Sequence, residues 1–214
     1  EWLGKVFIDE AEHLKSVNPT AYEHEYMGVA NSAGGAVFTN LQLRAISDEE
    51  IAQFDRVLHG LDWGFYPDPA SYGKMYYDAA RRILYVFGEA RHWRKGNEDL
   101  YKLLVSEHGY NPAELLIADS AEPKSVQDFR AFGANCRGAE KGAESVNYSI
   151  KWLQSLTAIV IDPARAPYHA QEFADYEFEK TKDGEISTEY PDRANHAIDD
   201  TRYATNLIWR RRGE

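Results

Sequence analysis

Residues 56–90, RVLHGLDWGFYPDPASYGKMYYDAARRILYVFGEA, contain three segments with the pattern of β-strands. They cover 56–62, 70–77 and 83–90, and the last two are rich in Tyr, Val and Phe and are joined by a polar turn. From residue 97 onwards, amphipathic helices alternate with short buried strands. The predicted helices cover 97–108, 123–132, 143–156 and 167–173, and the predicted strands cover 114–118 and 158–161. Three strands followed by alternating helices and strands indicate an α/β domain with a mixed sheet.

The two ends of the chain carry other patterns. Apolar residues at helical spacing, a turn signal at 31–35 and a capping pattern from Ser47 to Glu50 predict a helical lead-in and linker over 1–50. The main domain is then expected over 51–214. Near its end, Asp183 and Gly184 join two alternating segments, 176–180 and 185–189, and predict a β-hairpin before a last helix over 194–209.

The composition limits the class of protein. No apolar run approaches the length of a membrane span, and the single cysteine, Cys136, allows neither an internal disulfide nor a cysteine-based zinc site. We therefore expect a chain that acts away from membranes in a reducing compartment. The formal net charge of −11 argues against an ordinary nucleic-acid binder. An enzyme with divalent cations in an acidic cleft is an exception, because bound cations invert the local charge.

Three aspartates stand at positions where chemistry is expected. Asp62 and Asp119 each follow the apolar part of a predicted strand, and Asp199 lies on the predicted last helix. In α/β sheets, ligands gather beyond the carboxyl ends of the strands. Carboxylates clustered there repel one another unless protons or cations neutralise them, and such hard oxygen ligands favour Mg²⁺ or Mn²⁺. The structural alternatives are that Asp119 makes a turn before the next helix and that Asp199 is surface charge.

The sequence around these aspartates resembles the nuclease motifs of phage large terminases, particularly those that package DNA by a headful mechanism. The matching runs are 60–69 (GLDWGFYPDP), 117–125 (IADSAEPKS) and 195–204 (NHAIDDTRYA), which resemble the first, second and third motifs in order. Residues 18–28 are similar to the segment that joins the ATPase and nuclease domains of these proteins. The resemblance therefore covers nearly the whole chain.

This resemblance implies an RNase H-like fold and a catalytic, metal-binding site formed by Asp62, Asp119 and Asp199. His196 lies one helical turn before Asp199 and could face the same site; the alternative is an ordinary hydrogen bond on the helix face. Asp200 points about 100° away from Asp199 around the helix and is not expected to be a ligand. Three further residues are candidates for supporting or substrate-positioning roles near the site: Asp68, Glu122 and Lys124.

The family further implies two Mg²⁺ or Mn²⁺ ions as cofactors and concatemeric double-stranded viral DNA as substrate. Its portal protein and small terminase subunit are expected as partners through the full-length motor. The resemblance places the activity in the host cell cytoplasm, with the isolated domain monomeric. ATP binding is not expected, because neither Gly4-Lys5 nor Gly73-Lys74 is followed by the Ser or Thr of a phosphate-binding loop.

Two other functions remain open at this point. A RuvC-like resolvase or a transposase would keep the fold and the three acids but prefer a different DNA, and a catalytically silent docking module would bind motor components without cutting. The predicted hairpin over 176–190 also suggests a regulatory hypothesis. Because it leads directly into the helix that carries Asp199, it could border the cleft and restrain cutting.

Overall fold

The chain was analysed as a computed structural model, which describes residues 35–178, 190–191 and 195–210. The first 34 residues of the lead-in and linker predicted over 1–50 and most of the hairpin predicted over 176–190 lie outside the described residues, so these parts stay predictions. Within the described residues, no helix is long and apolar enough to cross a membrane.

The described residues form a seven-stranded sheet with the order β1-β7-β4-β3-β2-β5-β6. Strands β2, β3 and β4 are paired antiparallel, and every other neighbouring pair is parallel. The prediction of a mixed sheet is therefore confirmed. The strands are β1 (Leu41–Leu43), β2 (Val57–Asp62), β3 (Ala70–Asp78), β4 (Ile83–His92), β5 (Leu116–Ala118), β6 (Cys136–Gly138) and β7 (Ala158–Ile161).

The helices of the described part lie between and after these strands. They are α1 (Asp48–Ile51), α2 (Asn97–Ser106), α3 (Pro123–Ala131), α4 (Ser145–Gln154), α5 (Pro167–Asp175), α6 (His196–Ala204) and α7 (Asn206–Trp209). The capping pattern is confirmed at α1, where the Ser47 hydroxyl accepts a hydrogen bond from the Glu50 amide at 3.2 Å.

The last helix differs from the prediction of one continuous helix over 194–209. It is divided at Thr205, whose hydroxyl donates to the carbonyl of Thr201 at 2.7 Å. Such a bond between a side chain and its own helix competes with the backbone ladder and often bends the helix. The indole nitrogen of Trp209 then donates to the Arg202 carbonyl at 3.1 Å, which holds α7 back against α6.

Apolar side chains cover both faces of the sheet, because successive residues of a strand point to opposite sides. On β4, Leu84 and Val86 pack into the core beneath α4, α5 and α6. Tyr85 and Phe87 belong to a cluster on the other face, where α1 also packs. A further cluster joins α2 and α3 to β2 and β5 through side chains such as Leu104 and Phe129.

Strands β1 and β6, three residues each, were not predicted from the sequence. β1 pairs in parallel with β7 and lies inside the segment 1–50 that we expected to be a lead-in. The expected division at residue 51 therefore does not coincide with the edge of the sheet. A strand of three residues is too short to show a two-residue period, so neither strand carries a local signal.

Helix α6 packs directly on the middle of the sheet because two glycines make room for it. A β-carbon added to Gly60 on β2 would lie 1.8 Å from the carbonyl oxygen of Asp200, and one added to Gly73 on β3 would lie 2.5 Å from its carboxylate. No side chain fits into such spaces, so glycine is required where the backbones approach. This close packing brings one end of α6 to the ends of β2 and β5.

Candidate active site

Asp62 and Asp119 lie side by side at the carboxyl ends of two neighbouring parallel strands. Asp62 is the last residue of β2, and Asp119 directly follows β5. The Asp119 amide donates to the carbonyl of Leu61 at 2.9 Å, and the indole of Trp63 donates to the Asp119 carbonyl at 2.8 Å. The position of both backbones is thus fixed by hydrogen bonds on either side of the strand ends.

Helix α6 contributes His196 and Asp199 to the same region. The Nδ1 atom of His196 lies 3.1 Å from Oδ2 of Asp62, and its Nε2 atom lies 3.5 Å from Oδ1 of Asp68. The contact with Asp62 raises the pKa of His196 more than burial lowers it. The carboxylate of Asp62 is therefore held between the strand end and the imidazole.

Two of the three aspartates form ion pairs with basic side chains. Asp119 pairs with Lys141, which lies in the loop before α4, and Asp199 pairs with Arg202 one turn along α6. Asp119 also accepts a hydrogen bond from the Ala121 amide at 2.8 Å. It therefore also makes the turn before the next helix that we considered as its structural role. Across the described ranges, no three His, Cys, Asp or Glu side chains are arranged so that they could hold one metal ion.

The aspartates nevertheless share one negative electrostatic environment. Burial and the nearby charge of Asp199 raise the pKa of Asp62 to about 6, against the opposing effect of His196. Burial also raises the pKa of Asp199, partly offset by Arg202 and Lys141. The three carboxylates also act together on the phenol of Tyr203. Burial raises the pKa of this phenol, and the negative charges of Asp199, Asp62 and Asp119 each contribute to the rise.

The chemistry of this donor set suits a hard divalent cation. The site offers carboxylate oxygens in a negative potential that a cation relieves, and carboxylate oxygens are what Mg²⁺ and Mn²⁺ prefer. Lys141 and Arg202 now supply part of that positive charge. The cation of Lys141 lies 5.3 Å from the centre of the Tyr203 ring, between Asp119 and the helix that carries Asp199.

The comparison with protein families gives this site its context. The model of the terminase RNase H-like domain matches residues 62–206, which include all three aspartates. The chain belongs to this family. Membership agrees with the mixed sheet, which has the RNase H-like arrangement expected from the sequence.

Known members of the family are similar to most of this terminase-type domain. It is 39% identical over 210 residues to the large terminase subunit of Bacillus phage SPP1, which corresponds to 95% of this chain and 49% of that protein. The chain thus spans about half the length of its curated relative. The crystal structure of the SPP1 large terminase nuclease domain with bound Mn has a TM-score of 0.74 and 34% identity, covering 79% of this chain and 97% of that one. The P22 large terminase nuclease domain shares the fold, with a TM-score of 0.56 at 12% identity, covering 83% and 93%.

A buried network anchors the start of α6 in this terminase domain, next to His196. Glu172 of α5 accepts hydrogen bonds from the amides of Ala197 and Ile198, at 2.6 and 3.1 Å. Its other oxygen pairs with Arg91 of β4 at 2.8 Å. Glu172 therefore satisfies amide groups at the start of α6, which no side chain within the helix itself caps.

Asp200 belongs to the same buried layer and not to the group of site carboxylates. Its two oxygens contact Ser71 at 2.7 Å and His169 at 2.9 Å, consistent with the expectation that it points away from Asp199. Of the other candidates, Asp68 contacts His196, whereas Glu122 and Lys124 line a cleft beside the strand ends. Sequence reasoning did not single out Lys141, Arg202 or Tyr203 as separate site residues.

Proposed function

We propose that this chain is the metal-dependent endonuclease domain of a phage DNA-packaging terminase, which cuts concatemeric double-stranded viral DNA. The observation that supports this most is the group formed by Asp62, Asp119 and Asp199 at the strand ends of a terminase RNase H-like domain. Asp62 is buried and the other two are half-buried, and carboxylates held together in this way are costly to keep without a function that uses their charge.

The metal ligands in this proposal are Asp62, Asp119 and Asp199, which would hold two Mg²⁺ or Mn²⁺ ions. When bound, such ions supply an activated water and stabilise the leaving oxygen of a phosphodiester. The related SPP1 nuclease domain was solved with bound Mn, which supports a divalent cation here. Lys141 and Arg202 would release Asp119 and Asp199 to the cations, while His196 keeps the carboxylate of Asp62 oriented.

The partners follow from the same proposal. The substrate is double-stranded DNA, and the portal protein and the small terminase subunit meet this domain through the full-length motor. The isolated domain acts as a monomer, and the motor works in the cytoplasm of the infected host cell. These assignments extend beyond the chain, which spans about half of the SPP1 large terminase.

Plasmid cleavage tests the function. The purified chain is incubated with supercoiled plasmid and Mn²⁺, with and without EDTA, and then with a linear duplex and a four-way junction. We expect Mn²⁺-dependent conversion to nicked and linear forms that EDTA abolishes, with no preference for the junction. A strong preference for the junction would favour a resolvase instead. If the chain binds DNA but does not cut it in Mn²⁺, the result would favour a catalytically silent docking module.

A further inference from the structure

A cleft of about 400 Å³ opens directly beside the aspartate site. Three segments form its walls: the loop after β2, the start of α2 and the start of α3. The side chains that matter most are Trp63, Phe65, Lys95, Asn97, Glu122 and Lys124. The cleft is continuous with the site, because Trp63 follows Asp62 in the chain and its indole donates to the carbonyl of Asp119.

The charge of this cleft differs from that of the chain as a whole, which carries a formal net charge of −11. Lys95 and Lys124 are exposed at its rim. Within the described ranges, neither ammonium group has a carboxylate at ion-pair distance, whereas the exposed Lys102 on α2 pairs with Glu98 at 2.7 Å. The acidic side chain of the cleft, Glu122, accepts a hydrogen bond from the Ser125 hydroxyl at 2.6 Å.

The loop next to the cleft adds exposed aromatic surface and a third cation. Phe65 and Tyr66 are 59% and 64% exposed. The guanidinium of Arg94 lies 4.3 Å from the centre of the Tyr66 ring, and the Arg94 amide donates to the Phe65 carbonyl at 2.7 Å. These contacts attach the loop that follows Asp62 to the segment that carries Lys95, so aromatic and cationic groups form one continuous surface.

We propose that this cleft binds the sugar–phosphate backbone of the duplex next to the bond that is cut, with Lys95 and Lys124 as its phosphate-binding residues. This inference rests on the proposed nuclease function. Lysine ammonium groups contact phosphates without reading bases, so the site would hold any sequence. The starts of α2 and α3 at the walls add a weaker attraction, because the first amides of a helix carry partial positive charge.

The position of the cleft explains why a cation surface is needed there. The carboxylates of Asp62, Asp119 and Asp199 repel an approaching DNA backbone. Cations beside the site offset this repulsion by holding phosphates next to the scissile bond. Among the residues that the structure describes, Lys95 and Lys124 have no acidic partner, and a flexible four-carbon stem lets each reach a phosphate beside this end of the sheet.

DNA binding measured without divalent metal separates this proposal from cleavage. The double variant Lys95→Gln/Lys124→Gln is compared with Lys102→Gln/Lys151→Gln, which removes the same charge from exposed positions outside the cleft. Affinity for a short duplex is measured by fluorescence anisotropy in EDTA over a range of salt concentrations. Each phosphate contact adds about 0.9 to the magnitude of the slope of log affinity against log salt. The slope measured for the cleft variant should therefore be smaller in magnitude than that of the wild type by nearly about 2.

The control variant should keep the wild-type slope and the wild-type melting temperature. A cleft variant whose slope equals that of the control would overturn the cleft as a phosphate site. If the slopes are equal but the wild type cuts plasmid in Mn²⁺, the nuclease function is retained and only the phosphate site in the cleft is rejected. A wild type that fails to cut plasmid contradicts the nuclease function itself, whatever the slopes are.

Discussion

The Nε2 atom of His169 lies 2.9 Å from Oδ1 of Asp200, with the two side chains 1% and 0% exposed. The other ring nitrogen lies 2.8 Å from Glu89, whose carboxylate also accepts the amides of Tyr168 and His169 at the start of α5. Burial opposes a charge on His169, but Asp200 and Glu89 outweigh it and raise its pKa to about 10. A buried imidazolium thus joins α5, α6 and β4.

Replacing His169 by Gln should strongly destabilise the domain. A neutral amide cannot compensate the carboxylates of Asp200 and Glu89, and an unpaired buried charge costs about 3–5 kcal/mol. Chemical denaturation would measure the loss in the free energy of unfolding. The double variant His169→Gln/Asp200→Asn removes both charges of the pair and should recover part of that loss. A single variant as stable as the wild type would show that His169 is neutral in the fold.

The same pair predicts how stability depends on pH. The folded pKa of His169, about 10, is higher than its ordinary value of 6.5. Its protonation therefore stabilises the fold fully below pH 6.5, and this contribution is lost as the pH rises towards 10. The free energy of unfolding should fall more steeply over this interval in the wild type than in His169→Gln. Parallel pH profiles would contradict the assignment.

Glu172 should control the order of the first turn of α6. Glu172→Ala leaves the amides of Ala197 and Ile198 without their buried acceptor and Arg91 without its partner, which should cost about 3–5 kcal/mol. Glu172→Gln keeps an acceptor oxygen and should cost less. Hydrogen exchange at Ala197 and Ile198 provides the local measurement: exchange should accelerate most in the Ala variant. Equal protection in all three proteins would exclude the capping role.

Lys141 should weaken the binding of divalent cations, because it pairs with Asp119 in the metal-free site. Lys141→Gln removes this competitor, so we expect several-fold tighter Mn²⁺ binding by calorimetry and a larger rise of the melting temperature in Mn²⁺. Lys151→Gln, which changes an exposed lysine on α4, serves as the control and should bind Mn²⁺ like the wild type. Weaker binding by Lys141→Gln would mean that Lys141 supports the site.

The long strands and most helices could be predicted because their patterns extend over several periods. The strand β7 matches its predicted bounds, and β2 to β4 differ from theirs by at most two residues at an end. The short strands β1 and β6 form because β7 and β5 offer them an edge to pair with, and three residues alone do not reveal this pairing. The break in the last helix depends on the hydroxyl of Thr205, whose effect on a helix is too context-dependent to predict.

For the site, position along the chain identified the carboxylates but not their partners. Asp62 and Asp119 stand out because each follows an apolar strand, and parallel neighbours place such residues together. Lys141 lies in a loop without a local pattern. His169 and Glu172 meet α6 from 31 and 25 residues away, so only the folded chain shows that they hold it.

Cleavage by an Asp62→Asn variant tests the central claim that the clustered carboxylates make this domain a metal-dependent nuclease. The variant keeps the shape of the side chain and removes the charge, while Asp55→Asn makes the same change at an exposed residue just before the opposite end of β2. Plasmid cleavage rates are measured in Mn²⁺ for both variants and the wild type. We predict a loss on the order of 100-fold or more for Asp62→Asn, with a folded domain, and none for Asp55→Asn. Cleavage by Asp62→Asn at the wild-type rate would contradict the account.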